Sequence, residues 1–151
     1  MLKGPLVHPE LLAALAAAGH GSRILISDFN YPHATRLGPN AQLVFANFAP
    51  GLVRATDILA CIAQSVPIEA AGVMQPATSG PYAVPSEPEV WADFRAILAR
   101  HAGFTDELER IERFAFYEAG SAPDVCLTIA TGETSYYANI LLTIGAIPPK
   151  A

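Results

Sequence analysis

Apolar positions along this chain fall into two periods, one of three to four residues and one of short unbroken runs, and the two alternate. PELLAALAAAG, starting at Pro9, places Leu11, Leu12 and Leu15 on one helical face, with proline at the first helical position, Glu10 in the first turn and Gly19 as the stop. Arg23 to Ser27 is a short β-rich run suited to a strand buried on both faces. Residues 42–46 predict a second strand. Thr56 and Asp57 introduce a helix that ends before Pro67, and residues 70–74 predict a third strand. Pro88 and Glu89 open the most regular helix, with Val90, Trp91, Phe94, Ile97 and Leu98 on one face and Gly103 as the stop. Thr105 and residues 107–110 predict a further short helix leading into RFAFYE at residues 113–118. Residues 124–130 and 139–144 are apolar strands separated by the polar turn TGETSYYA.

Strands alternating with helices predict an α/β fold with a mainly parallel sheet covered by helices. The last two strands follow each other with only a loop between them, which predicts one antiparallel strand at or near an edge. Residues 75–88 carry repeated prolines and so predict a long loop or lid, because proline-rich chain cannot join a central sheet.

The length of 151 residues fits one domain over residues 1–151 with a normal core. Hydrophobic residues make up 52% and charged ones only 15%, so few charges cover the surface and association with further copies is expected. A net charge of -5, with no run of Lys or Arg, argues against nucleic acid as a partner. Residues 11–18 imitate the apolar part of a signal peptide, but Pro9 and Glu10 open the run and it is too short to span a bilayer. A cytoplasmic protein without membrane attachment is expected. Cys61 and Cys126 lie in apolar patterns without ligand spacing and read as small buried hydrophobes, so no metal is expected.

No nucleotide-binding glycine fingerprint, Walker loop, nucleophile elbow or HExxH sequence occurs. What remains are polar groups at strand ends, where pockets form in open α/β sheets. His20, between two glycines, reads either as a cap on the helix end or as a proton carrier near neutral pH. Asp28 reads first as a turn residue or cap, His33 as a solvated loop histidine and Glu133 as solvated turn chemistry. Arg113 and Tyr117 sit one helical turn apart, and the pair Tyr136-Tyr137 precedes Asn139, whose amide offers both a donor and an acceptor. This set suits a small polyhydroxylated ligand. Geometry sets one condition: a strand of five or six residues separates His20 from Asp28 by roughly 15 to 20 Å. The two share a pocket only if the loop folds back or if two subunits meet.

Three ordered motifs, PELLAALAAAGHGSRILISDFNYP, RFAFYE and TGETSYYANILLTIGAI, resemble the D-ribose pyranase and L-fucose mutarotase family over nearly the whole chain, and RFAFYE resembles its fucose mutarotase branch. The resemblance implies a three-layer αβα fold, decameric rings and cofactor-free interconversion of sugar anomers and ring forms. By the same resemblance His20 is the general acid, Asp28, Arg113, Tyr137 and Asn139 bind sugar hydroxyls, and Tyr117 is a catalytic or sugar-binding residue. The chain departs from the family at Ser22, where Asp is usual, at Asn30, which is His in some relatives, and at Ser135-Tyr136, where fucose mutarotases often carry basic residues. Those departures bear on which sugar is used more than on the reaction. Two other classes use the same residue types: a non-catalytic monosaccharide-binding or sensor module, and a structural oligomer whose polar residues line an interface.

Overall fold

The computed structural model describes residues 1–149. Its helices are α1 (Pro9–Ala17), α2 (Ala55–Ala63), α3 (Val90–Ala102) and α4 (Arg113–Gly120). Its strands are β1 (Arg23–Ser27), β2 (Gln42–Phe45), β3 (Ile68–Gln75), β4 (Glu109–Glu112), β5 (Val125–Ala130) and β6 (Ile140–Ile144). The capping chemistry read from the sequence is in place. Proline opens α1, Asp57 accepts the Arg54 N–H at 2.9 Å at the start of α2, and Gly103 ends α3 in the left-handed conformation with φ 66°.

The six strands form one mixed sheet in the order β2-β5-β1-β6-β3-β4. Neighbours β2 and β5, β5 and β1, and β3 and β4 run parallel, whereas β6 is antiparallel to both β1 and β3. The antiparallel strand therefore sits in the middle of the sheet, and the expectation of an edge position is corrected. Its residues explain the placement. Ile140 and Leu142 face one apolar layer and Leu141 the other, all almost fully buried, and only an interior strand can bury both faces. The helix expected over residues 107–110 is also corrected, because residues 109–112 form the edge strand β4. Glu, Arg, Ile, Glu carries one apolar residue between exposed charges, which suits a short, charged edge.

Alternation along β1 divides the two layers. Ile24 and Ile26 pack with Leu11 and Leu15 of α1, Leu59 and Ile62 of α2, and Trp91, Phe94 and Leu98 of α3. Leu25 faces the other way and meets Phe116 of α4, Tyr31, Met74 and Leu141. Helices thus cover both faces of the sheet, three on one and one on the other. Burying the largest of these side chains contributes roughly 1.5–3 kcal/mol each. Among the described residues, no helix is long and apolar enough to cross a membrane.

The central antiparallel strand has a functional consequence. Ile140, the first residue of β6, pairs with Ile26 near the end of β1 and with Val73 near the end of β3. The residues after β1, those before β6 and those after β4 therefore emerge at the same edge of the sheet.

Candidate active site

At that edge Asp28 directly follows Ser27, the last residue of β1, and Asn139 directly precedes β6. The Asp28 N–H donates to Asn139 Oδ1 at 2.9 Å, and Asn139 Nδ2 donates to Asp28 Oδ2 at 2.9 Å. The Asn30 N–H donates to Asp28 Oδ1 at 3.0 Å in an Asx turn. Asp28 is buried, and burial pushes its pKa up from 3.8 to about 6, against the lowering effect of the hydrogen bonds from Asn30 and Asn139. A carboxyl group in that range exchanges a proton near neutral pH.

Arg113 and Tyr117 enter from α4, which begins where β4 ends. Arg113 Nε donates to Tyr117 Oη at 3.3 Å across one helical turn. Its guanidinium lies 5.7 to 5.8 Å from the ring centroids of Tyr82, Phe114 and Tyr117. Glu112 starts the helix by accepting the Phe114 and Ala115 N–H groups. Tyr31 packs against Tyr117 with ring centroids 5.6 Å apart, and burial raises its phenol pKa.

These groups line one cavity of about 590 Å³, together with Asn30, Met74, Tyr136, Tyr137 and the stretch Pro81, Tyr82, Ala83 and Val84. That volume is in the range of small-molecule sites. Asp28, Arg113, Tyr117, Tyr137 and Asn139, scattered over the sequence, are brought together. Tyr137 adopts a left-handed backbone with φ 57°, unusual for a tyrosine. Its hydroxyl donates to the Tyr82 carbonyl at 2.9 Å and accepts the Ala77 N–H at 3.3 Å.

His20 is not in this cavity. It lies before β1, at the opposite end of the strand from Asp28, exposed and paired through Nε2 with Glu69 Oε2 at 2.9 Å. The neighbouring Gly21 N–H is tied to the Ile144 carbonyl at the far end of β6, so the loop does not fold back. Within one chain, the two residues stay apart.

His33, Glu133 and Tyr31 differ from the sequence reading, and Cys61 and Cys126, read as buried, are only partly buried. His33 is half-buried rather than solvated. Ser27 Oγ donates to the Ile129 carbonyl at 3.0 Å, so His33 Nε2–H donates to Ser27 Oγ at 2.6 Å, and burial lowers the imidazole pKa. Glu133 is buried, accepting the Ser135 N–H at 2.9 Å, with Arg54 Nε 3.5 Å from Oε2. Burial opposes its ionisation, but the Ser135 amide and the Arg54 charge outweigh that, holding its pKa below the usual value. Tyr31, not singled out in the sequence, is a buried wall of the site. The clue for Tyr31 was its place three residues after Asp28 and for Glu133 its place beside Gly132, but nearness along the chain alone does not separate a buried turn from a solvated one. Among the described residues, no group of three or more His, Cys, Asp or Glu is placed to hold a metal ion.

A model of the RbsD / FucU transport protein family matches residues 1–147. The chain belongs to this family. Among RbsD / FucU relatives, the fucose mutarotase of Homo sapiens is 36% identical, over 97% of this chain and 94% of its own length. The L-fucose mutarotase of Actinobacillus pleuropneumoniae is 33% identical, over 99% of this chain and all (100%) of its own. The crystal structure of the fucose mutarotase from Streptococcus pneumoniae in complex with L-fucose superposes with a TM-score of 0.82 at 26% identity, over 98% of this chain and 100% of that one. The fold is thus shared over nearly the whole of both chains.

Proposed function

We propose that this chain is a cofactor-free sugar mutarotase, one domain that interconverts the anomers of an L-fucose-like monosaccharide, and its pyranose and furanose forms, by general acid-base ring opening and closure. The observation that carries the reading is the convergence of the Asp28–Asn139 pair and the Arg113–Tyr117 pair on one cavity. The names of the full-length relatives support it.

Opening a pyranose hemiacetal needs a proton delivered to the ring oxygen and one removed from the anomeric hydroxyl. The aldehyde then rotates and recloses on either face. In this reading His20 donates to the ring oxygen. Asp28 and Asn139 hold sugar hydroxyls, Asp28 as acceptor in its ionised form, and Tyr137 packs its ring along the sugar. A water held by Tyr117 takes the anomeric proton, or Tyr117 relays it by accepting that proton as it passes its own to the water, and Arg113 stabilises the negative charge that develops there. Positioned acid and base groups contribute typically ~10² to 10⁴ in rate, enough for a reaction that already proceeds slowly in water.

Because His20 lies at the far end of β1, the reading requires a homo-oligomer in which His20 of one subunit completes the cavity of the next; a decameric ring in the cytoplasm is the form that the resemblance implies. Exposed Phe29, Phe45, Phe48 and Leu52 support association, since large apolar side chains in water favour an interface. Saturation-transfer NMR with L-fucose, D-ribose and other monosaccharides tests the proposal on wild type and His20→Ala. Acceleration of exchange by wild type and its loss in the variant is expected. A folded oligomer that binds sugar without accelerating exchange would instead be a binding module.

A further inference from the structure

Residues 76–88 form neither strand nor helix, and within them Pro81, Tyr82, Ala83 and Val84 wall the cavity, with Tyr82 5.8 Å from Arg113 of α4. Few bonds of the wall's own hold it: the Ala83 N–H donates to the Gly80 carbonyl at 3.1 Å and the Val84 N–H to the Ala77 carbonyl at 3.3 Å. Two side-chain tethers fix it to the body. At one end Glu87 bridges Arg95 at 2.6 Å and Arg110 at 2.7 Å. At the other, Tyr137 Oη joins the Ala77 N–H and the Tyr82 carbonyl, so one phenol spans the two legs of the loop.

Tyr137 is itself held for this task. Its carbonyl accepts Nε1–H of the fully buried Trp91 at 3.2 Å, and its left-handed backbone is a strained conformation that only surrounding structure maintains. Two residues on, Asn139 grips Asp28. A single turn therefore sets both the wall and the acidic group it faces.

We propose that Tyr137 is a positioning residue that latches residues 77–84 over the cavity, and that this wall, with Tyr82 lying against Arg113, selects the size and distal hydroxyl pattern of a single monosaccharide ring. The inference rests on the mutarotase reading of the cavity. The phenol's one proton is engaged by Tyr82, so its hydroxyl acts on the sugar through the wall rather than by donating to it.

Tyr137→Phe keeps the ring and removes both tethering bonds. Hydrogen exchange of the intact oligomer, read by mass spectrometry, is expected to become about tenfold faster at residues 77–84 and to stay unchanged in β1 and β6. In saturation-transfer NMR the loss is expected to fall on KM, raised about tenfold, more than on kcat, and discrimination between L-fucose and D-ribose is expected to narrow. Unchanged exchange at residues 77–84 would overturn the latch. A loss confined to kcat would overturn it too, by making the hydroxyl a group that acts on the reacting sugar. The exchange measurement reads the latch even if wild type accelerates no sugar, so failure of the mutarotase reading is distinguished from failure of the latch.

Discussion

Asn139 holds Asp28 by both of its available groups, accepting the backbone N–H on Oδ1 and donating from Nδ2 to the carboxylate, each at 2.9 Å. The strand that begins at residue 140 thereby fixes the acid that ends β1. Neither residue is free to turn away when the cavity fills, because both are buried and each satisfies the other.

Asn139→Ala leaves a buried N–H and a carboxylate oxygen of Asp28 without partners. Unsatisfied buried groups cost about 1–3 kcal/mol each, so urea unfolding is expected to show a loss of about 2–6 kcal/mol. Since the Asn139 bond lowers the Asp28 pKa, the acid limb of the rate profile is expected to move upward. A variant as stable as wild type would mean that the clamp contributes nothing to folding.

Asp28 makes stability depend on pH with a definite sign. Its folded pKa of about 6 lies above its ordinary 3.8, so between those values the native state holds a proton that the unfolded chain has released. The resulting stabilisation is complete below pH ~3.8 and is lost as pH rises through about 6. Relative to Asp28→Asn, wild type at fixed protein concentration is expected to lose on the order of 3 kcal/mol across that window. Exchange activity is expected to run the other way, rising as Asp28 ionises. A pH-independent difference in unfolding free energy between the two proteins would refute the shift.

Gly120 and Tyr31 are matched in volume. A Cβ added at Gly120 would stand 2.8 Å from Tyr31 Oη and 3.3 Å from Leu25 Cδ2, inside a packed layer. Gly120→Ala is expected to cost about 1–3 kcal/mol by overpacking. The Tyr31 hydroxyl is buried without a hydrogen-bond partner among the described residues, so Tyr31→Phe is expected to be mild and to relieve part of the Gly120→Ala penalty. A double-mutant cycle by thermal unfolding reads the coupling, and strict additivity would show that the two do not touch.

Separation of His20 from Asp28 along β1 allows a direct test of a shared site. His20→Ala and Asp28→Ala are each expected to be inactive, whereas co-expressed chains assembled into mixed oligomers are expected to regain part of the exchange rate. Recovery arises because some interfaces then pair an intact His20 with an intact Asp28. Mixed oligomers with no activity above either parent would place both residues in one subunit's chemistry.

Local chemistry made much of this molecule legible from its residues. The helix starting at Pro9, the apolar run at Arg23 to Ser27 and the helix stopped by Gly103 appear where periodicity and capping put them, because neighbours along the chain decide those conformations. The three motifs led to the family, and five of the six residues carried over by that resemblance line one cavity. Burial was less legible: Glu133 beside a glycine and His33 after a proline look solvated until Arg54 and Ser27 close on them.

The sequence by itself determined most of the helices and apolar strands and which side chains are available for proton transfer and hydrogen bonding, since those properties belong to residues and their near neighbours. Only the tertiary structure decided that β6 runs antiparallel through the middle of the sheet, that residues 109–112 are its edge, and that Asn139 meets Asp28 while His20 stays at the far end of β1. Strand order is set by how both faces of every strand are buried at once, a condition on the whole chain that no local pattern contains.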